Sequence, residues 1–111
     1  MKITTQNYND VVVVELHGDF TSEFSKSFED SVKEVIQQGA AGIVLDMTHI
    51  NFIDSVSLEQ ILWLRDYCNE ELRQLKIAGL DEICAKILYV TRLERQLDTY
   101  EELSEAVKSF A

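Results

Sequence analysis

Apolar residues along the chain fall into short runs and helical stripes that alternate. Residues 2–8, "KITTQNY", favour a strand weakly, and the Asn9-Asp10 pair that follows is a turn signal. Val11 to His17 reads as a strong strand, with four consecutive valines and then Leu16 between polar neighbours. The two segments predict a hairpin with the first as its edge. Phe20, Phe24, Phe28, Val32, Val35 and Ile36 then recur along one face, which predicts a helix from about Thr21 to Gln38. Thr21 is a candidate cap at its start, and Gly39 suits the left-handed position just past its end. "GIVLDM", 42–47, is apolar on both faces and predicts a buried parallel strand.

"THINFID", 48–54, reads as a loop into a second helix, about Val56 to Gln74. "LKIAGL", 75–80, predicts a third inner strand, and Asp81 opens a helix through about Leu93. Residues 95–98 suggest a short last strand. Thr99 and Glu102 have the spacing of a capping box ahead of the stripe Leu103, Ala106, Val107 and Phe110. The order β-β-α-β-α-β-α-(β)-α predicts an α/β fold: a small mixed sheet, made of an opening hairpin and then right-handed parallel crossovers, covered by about four helices.

Length and composition fit one domain over residues 1–111: 46% hydrophobic, 27% charged, no proline and four glycines. Net charge is −10, spread along the chain, since residues 1–54 carry 9 acids against 3 bases and residues 55–111 carry 11 against 7. Such a surface repels phosphate backbones and anionic lipid, which argues against nucleic-acid and membrane-surface binding. A basic protein partner would be steered favourably. "MKITTQNYND" lacks the apolar core of a signal peptide, and the longest aliphatic run, Val11 to Val14, cannot span a bilayer, so the expected location is cytoplasmic. Cys68 and Cys84 have no CxxC spacing and read as reduced, buried thiols.

Signals for catalysis and cofactors are absent. His17 and His49 lie 32 residues apart with no metal-ligand spacing. There is no phosphate loop, no GxGxxG and no GxSxG elbow, so a hydrolase or nucleotide enzyme is disfavoured and no cofactor is expected. The junction "DSVSL", 54–58, stands out. Ser57 with Gln60 matches a capping box, while Asp54 or Ser55 would cap the helix slightly earlier; spacing leaves these open. Projected at about 100° per residue, Leu58, Ile61, Leu62, Cys68 and Leu72 share a broad face assigned to the core. Val56, Trp63 and Tyr67 cluster roughly opposite, beside Gln60. A helix apolar on two sides is either buried twice or docks a partner. If the second stripe docks a partner, Trp63→Ala harms binding more than folding.

The whole chain resembles the STAS family, named for sulfate transporters and anti-sigma-factor antagonists. Its most specific stretch is "IVLDMTHINFIDSVSL", 43–58, similar to the family's strand ending in Asp-Leu-Ser followed by Phe-hydrophobic-Asp-Ser-Ser/Thr-Gly-Leu. "VVELHGDF", "LKIAGL" and "TYEELSEAVKSF" resemble further landmarks. In the antagonists the serine directly after the aspartate is phosphorylated, so the resemblance implies Ser55 as a phosphorylation site. It implies a non-enzymatic binding module in a partner-switching pathway of transcription regulation. Its partner would be an anti-sigma factor that is also a serine kinase, docked at Asp54, Ser55, Val56, Ser57, Glu59, Gln60, Trp63 and Tyr67. The sequence departs from the family pattern at Val56 (second Ser/Thr), Ser57 (glycine), Glu59 (a small residue) and Thr21 (Asp). These departures support a second expectation: an unphosphorylated STAS subunit that stabilises another assembly, such as an ABC-type lipid transporter. Oligomeric state is not specified by the sequence.

Overall fold

The computed structural model describes residues 1–110, apart from the side chain of Glu94. A single five-stranded sheet has the order β1-β2-β3-β4-β5, so neighbours in sequence are neighbours in space. Strands β1 (Lys2–Tyr8) and β2 (Val11–Phe20) form the predicted antiparallel hairpin. Asn9 takes the left-handed turn position at φ 59°, which asparagine tolerates better than most residues. Strands β3 (Gly42–Ile53), β4 (Gln74–Ala78) and β5 (Thr99–Tyr100) then add in parallel.

The four valines show why β2 sits inside. Val11 and Val13 pack with Val44, Ala78 and Ala106 on one sheet face; Val12 and Val14 face the main core on the other. Both faces are therefore covered. Helices α1 (Ser25–Gln37), α2 (Ser55–Glu70) and α3 (Glu82–Val90) enclose the main core. The short α4 (Leu103–Lys108) covers the other face through Leu103, Ala106, Val107 and Phe110. Residue 42 is glycine because the Phe110 ring occupies the space that a Cβ would need. Lys76, buried beneath α4, donates to Ser109 Oγ at 2.6 Å and lies 4.6 Å from the Phe110 ring centre.

Several boundaries differ from expectation, each for a physical reason. The segment 48–53 is strand, not loop: β3 continues to Ile53, where it pairs with Phe20. Register shifts between Glu15 and His17 and between Gly18 and Asp19 interrupt the ladder. Buried positions consequently run Met47, Ile50, Ile53, and strict alternation is lost. Thr21 makes no side-chain cap, and a 3₁₀ turn, Ser22–Phe24, precedes α1. Gly39, at φ 94°, does end the helix. Helix α2 stops at Glu70 because Leu72 turns left-handed at φ 58° and Arg73 N–H donates back to Cys68 O at 2.7 Å. Helix α3 likewise ends before Arg92, at φ 63°, and residues 93–96 form a 3₁₀ turn, not a strand. The Thr99/Glu102 capping box does not form: Thr99 pairs with Ile77 in the sheet, and Glu102 precedes α4 without a side-chain cap.

Candidate functional site at the start of the second helix

The extension of β3 decides where α2 begins. Asp54 remains extended, at φ −94° and ψ 174°, and helical conformation starts at Ser55. Asp54 is therefore the cap. Its Oδ1 accepts from the Ser57 N–H at 2.8 Å, and its Oδ2 accepts from the Ser22 N–H at 2.9 Å. The Ser57–Gln60 alternative is excluded by this start. The Ser57 N–H bond is the main reason that the Asp54 carboxyl sits below the ordinary aspartate value of 3.8; the Ser22 N–H acts in the same direction. Both bonds favour the ionised form.

Ser55 occupies the first helical position and is exposed. Phe52, 54% exposed, and Val56, 41% exposed, stand on either side of it in sequence, with exposed Glu59 one turn on. Asp19, Ser22 and Glu23 are exposed on the segment that Asp54 ties to this junction. Residues 17–25 and 49–64 contain four acids and no Lys or Arg. These two segments are thus acidic, with Phe52 and Val56 as exposed apolar points and Lys26 and Arg65 just beyond their ends, a composition that suits contact with a cationic protein face.

Not every predicted contact residue lies on that surface. Ser57 is fully buried and its Oγ has no hydrogen-bond partner, so its side chain is not available to another molecule in this conformation. Thr21 Oγ1, Ser25 Oγ and Gln60 Oε1 are likewise buried and unpaired within the chain. Trp63 and Tyr67 stack at 5.3 Å and pack against the main core, with Lys33 of α1 lying 5.5 Å from the Trp63 ring centre. Helix α1 therefore covers much of the second apolar stripe, and Val56 at its beginning is its one exposed member. The assigned core face needs correction too. Ile61 and Cys68 are buried and Leu58 packs against them, but Leu72 is 90% exposed. Leu64, absent from the expected face, is fully buried. The face that points inward is centred on Ser57, Ile61, Leu64 and Cys68.

The two histidines meet in space. His17 and His49 are partners on β2 and β3, with rings stacked at 4.8 Å and 7°, and His17 Nε2 lies 3.2 Å from Glu15 Oε2. Sequence spacing hides this contact because strand pairing brings together residues far apart in the chain. Among the described residues no group of three or more His, Cys, Asp or Glu is arranged to hold a metal ion. Cys68 and Cys84 are buried free thiols, each raised to about 11 by burial first of all, so both are protonated at neutral pH. No helix among the described residues is long and apolar enough to cross a membrane.

The chain matches the STAS domain family over residues 2–106, and it belongs to that family. No curated protein matches it in sequence. A Thermotoga maritima protein described as a candidate anti-sigma factor antagonist superposes with a TM-score of 0.89 at 22% identity, over 96% of this chain and 92% of its own. An anti-sigma factor antagonist from Mycobacterium paratuberculosis gives 0.87 at 17% identity, over 97% and 92%. The Bacillus cell fate determinant SpoIIAA in its phosphorylated form gives 0.75 at 15% identity, over 99% and 100%. These likenesses establish a shared fold, and they include the mixed sheet and helix order built above.

Proposed function

We propose that this chain is a non-enzymatic partner-switching module, an anti-sigma-factor antagonist in a cytoplasmic signalling pathway that regulates transcription, with Ser55 as its phosphorylation site. The observation that carries the reading is the exposed hydroxyl-bearing Ser55 at the first position of α2, directly after a cap whose carboxylate is already engaged. Unmodified, the acidic and apolar surface formed by Asp54, Ser55, Val56 and Glu59, with Phe52 beside it, would bind an anti-sigma factor that is also a serine kinase. The edges of Gln60, Trp63 and Tyr67 would border that contact. Phosphorylation adds roughly −1.5 to −2 charges at neutral pH. The helix N-terminus partly accommodates that charge, but no Lys or Arg in residues 49–64 is present to pair with it. The added charge therefore falls mainly on the partner contact, and binding is lost without unfolding the domain.

The departures at Ser57 and Glu59 favour a second reading, a constitutive subunit of another assembly such as an ABC-type lipid transporter, in which Ser55 is never modified. Site mapping of the protein from its own cells, with co-purifying partners, separates the two. The switch predicts phosphate on Ser55 and loss of the partner by Ser55→Asp, while Ser55→Ala keeps it. A chain always unmodified, with one partner that tolerates Ser55→Asp, overturns the switch.

A further inference from the structure

The two oxygens of Asp54 hold donors from different parts of the chain. Oδ1 takes the Ser57 N–H of α2, and Oδ2 takes the Ser22 N–H, 32 residues earlier. The backbone runs the same way: Asp54 N–H donates to Phe20 O at 3.2 Å, and Leu58 N–H donates to Asp54 O at 3.1 Å. One residue therefore joins the end of β2, the Ser22–Phe24 turn and the first turn of α2. The turn has little else to hold it. It contains no buried residue and no side-chain cap, and Phe24 N–H donates to Thr21 O at 3.0 Å. Segments with few buried contacts open at low cost.

We propose that Asp54 is a positioning residue that couples the state of Ser55 to the Ser22–Phe24 turn, so that negative charge on Ser55 loosens the turn as well as altering the surface of α2. The coupling rests on the reading of Ser55 as the modification site. An anion on Ser55 lies one residue from the carboxylate and draws on the same small set of N–H donors at the helix start. Asp54 and Glu59 are the charged groups closest to it in sequence, Glu23 adjoins Ser22 on the segment that Asp54 ties to the helix start, and all three repel it. The cheapest donor to surrender is Ser22 N–H, because Ser57 N–H is fixed within α2. A change at residue 55 then reaches residues 22–24, on a different segment that also carries exposed acids.

Ser22→Pro tests this directly, because it deletes the N–H donor and leaves the carboxylate. Thr21 is already extended, at φ −122° and ψ 171°, which is the conformation that a residue before proline requires. Ser22→Ala keeps the donor and is the control. Amide exchange of the full chain is read by NMR at Phe24 and Ser25, with α3 as an internal reference. We expect Ser55→Asp to speed exchange at these amides about tenfold or more, with Ser22→Ala unchanged. Ser22→Pro alone should reproduce the loosening, and adding Ser55→Asp to it should change little further, as coupled sites are non-additive. Unchanged exchange in Ser55→Asp overturns the coupling, as does full additivity in the double variant. If Ser22→Pro fails to fold, the Ser55→Asp comparison against wild type and Ser22→Ala still decides. Absence of phosphate on Ser55 in cells would defeat the switch yet leave this response measurable, so the two failures are distinguishable.

Discussion

Asp54 gives the clearest account of a single residue. Its ionised carboxylate is favoured in the folded chain by the Ser57 N–H and then by the Ser22 N–H, so its folded pKa is below the ordinary 3.8. A depressed carboxyl pKa stabilises the fold above the unfolded value, and that contribution disappears as pH falls from there through the lower folded value. Denaturant titrations from about pH 6 to about pH 3 should show wild type losing more stability than Asp54→Asn, with the gap between them narrowing at the acid end. Parallel losses in the two proteins would show that the cap charge contributes nothing. The sequence revealed a cap within residues 54–57 but could not choose among Asp54, Ser55 and Ser57. That choice depended on where β3 ends. The Ser22 bond was invisible for a different reason: it joins residues 32 positions apart through a backbone donor, which no side-chain pattern announces.

Among the elements, every long strand and helix is legible in the sequence, and ends are misplaced both where punctuation is missing, as at the end of α2, and where a candidate cap such as Thr21 does not cap. Helix α1 has Gly39, and its expected C-terminus lies within a residue of the observed one. Helix α2 has no glycine stop. Leu72 completes an apolar stripe on paper, so the pattern ran on to Gln74; in the structure Leu72 takes the left-handed position that glycine usually fills and is 90% exposed. A side chain there strains the backbone without any burial to offset it. Leu72→Gly should therefore stabilise the domain by about 0.5–1 kcal/mol, the left-handed strain relieved less the added freedom of the unfolded chain. A thermal midpoint higher by roughly 2–6 °C in calorimetry is the expected result; a lower midpoint would mean that Leu72 has a packing role. The second stripe of α2 was legible as apolar, but what covered it was not. The Lys33–Trp63 and Trp63–Tyr67 contacts assign most of it to the α1–α2 seam, so Trp63→Ala should harm folding as well as any binding.

For the whole molecule, the alternation of strand and helix was sufficient to predict a mixed sheet with parallel crossovers, because few topologies join such elements by short right-handed connections. The bulges that carry β3 out to Ile53 were not predictable, since they replace the two-residue period with a spacing of three. Charge acts at this scale as well. The chain carries 20 acids and 10 Lys and Arg. Among the described residues, pairs with Lys or Arg engage only Asp66 and Asp98 on the acidic side, and Glu15 is hydrogen-bonded to His17. Asp66 and Asp98 are each more than half exposed, so these pairs contribute little and screening them costs little. Self-repulsion at a net −10 is the larger effect, and compaction on folding makes it worse. Raising NaCl from about 20 to about 200 mM shortens the screening length severalfold and should raise the thermal midpoint by a few degrees. The same change should slow association with a cationic partner, because the acidic surface around Ser55 then attracts it over a shorter range. A midpoint that falls with salt would mean that attractive pairs outweigh repulsion. An association rate indifferent to salt would mean that the acidity of this surface serves solubility alone, and that the apolar points at Phe52 and Val56 select the partner.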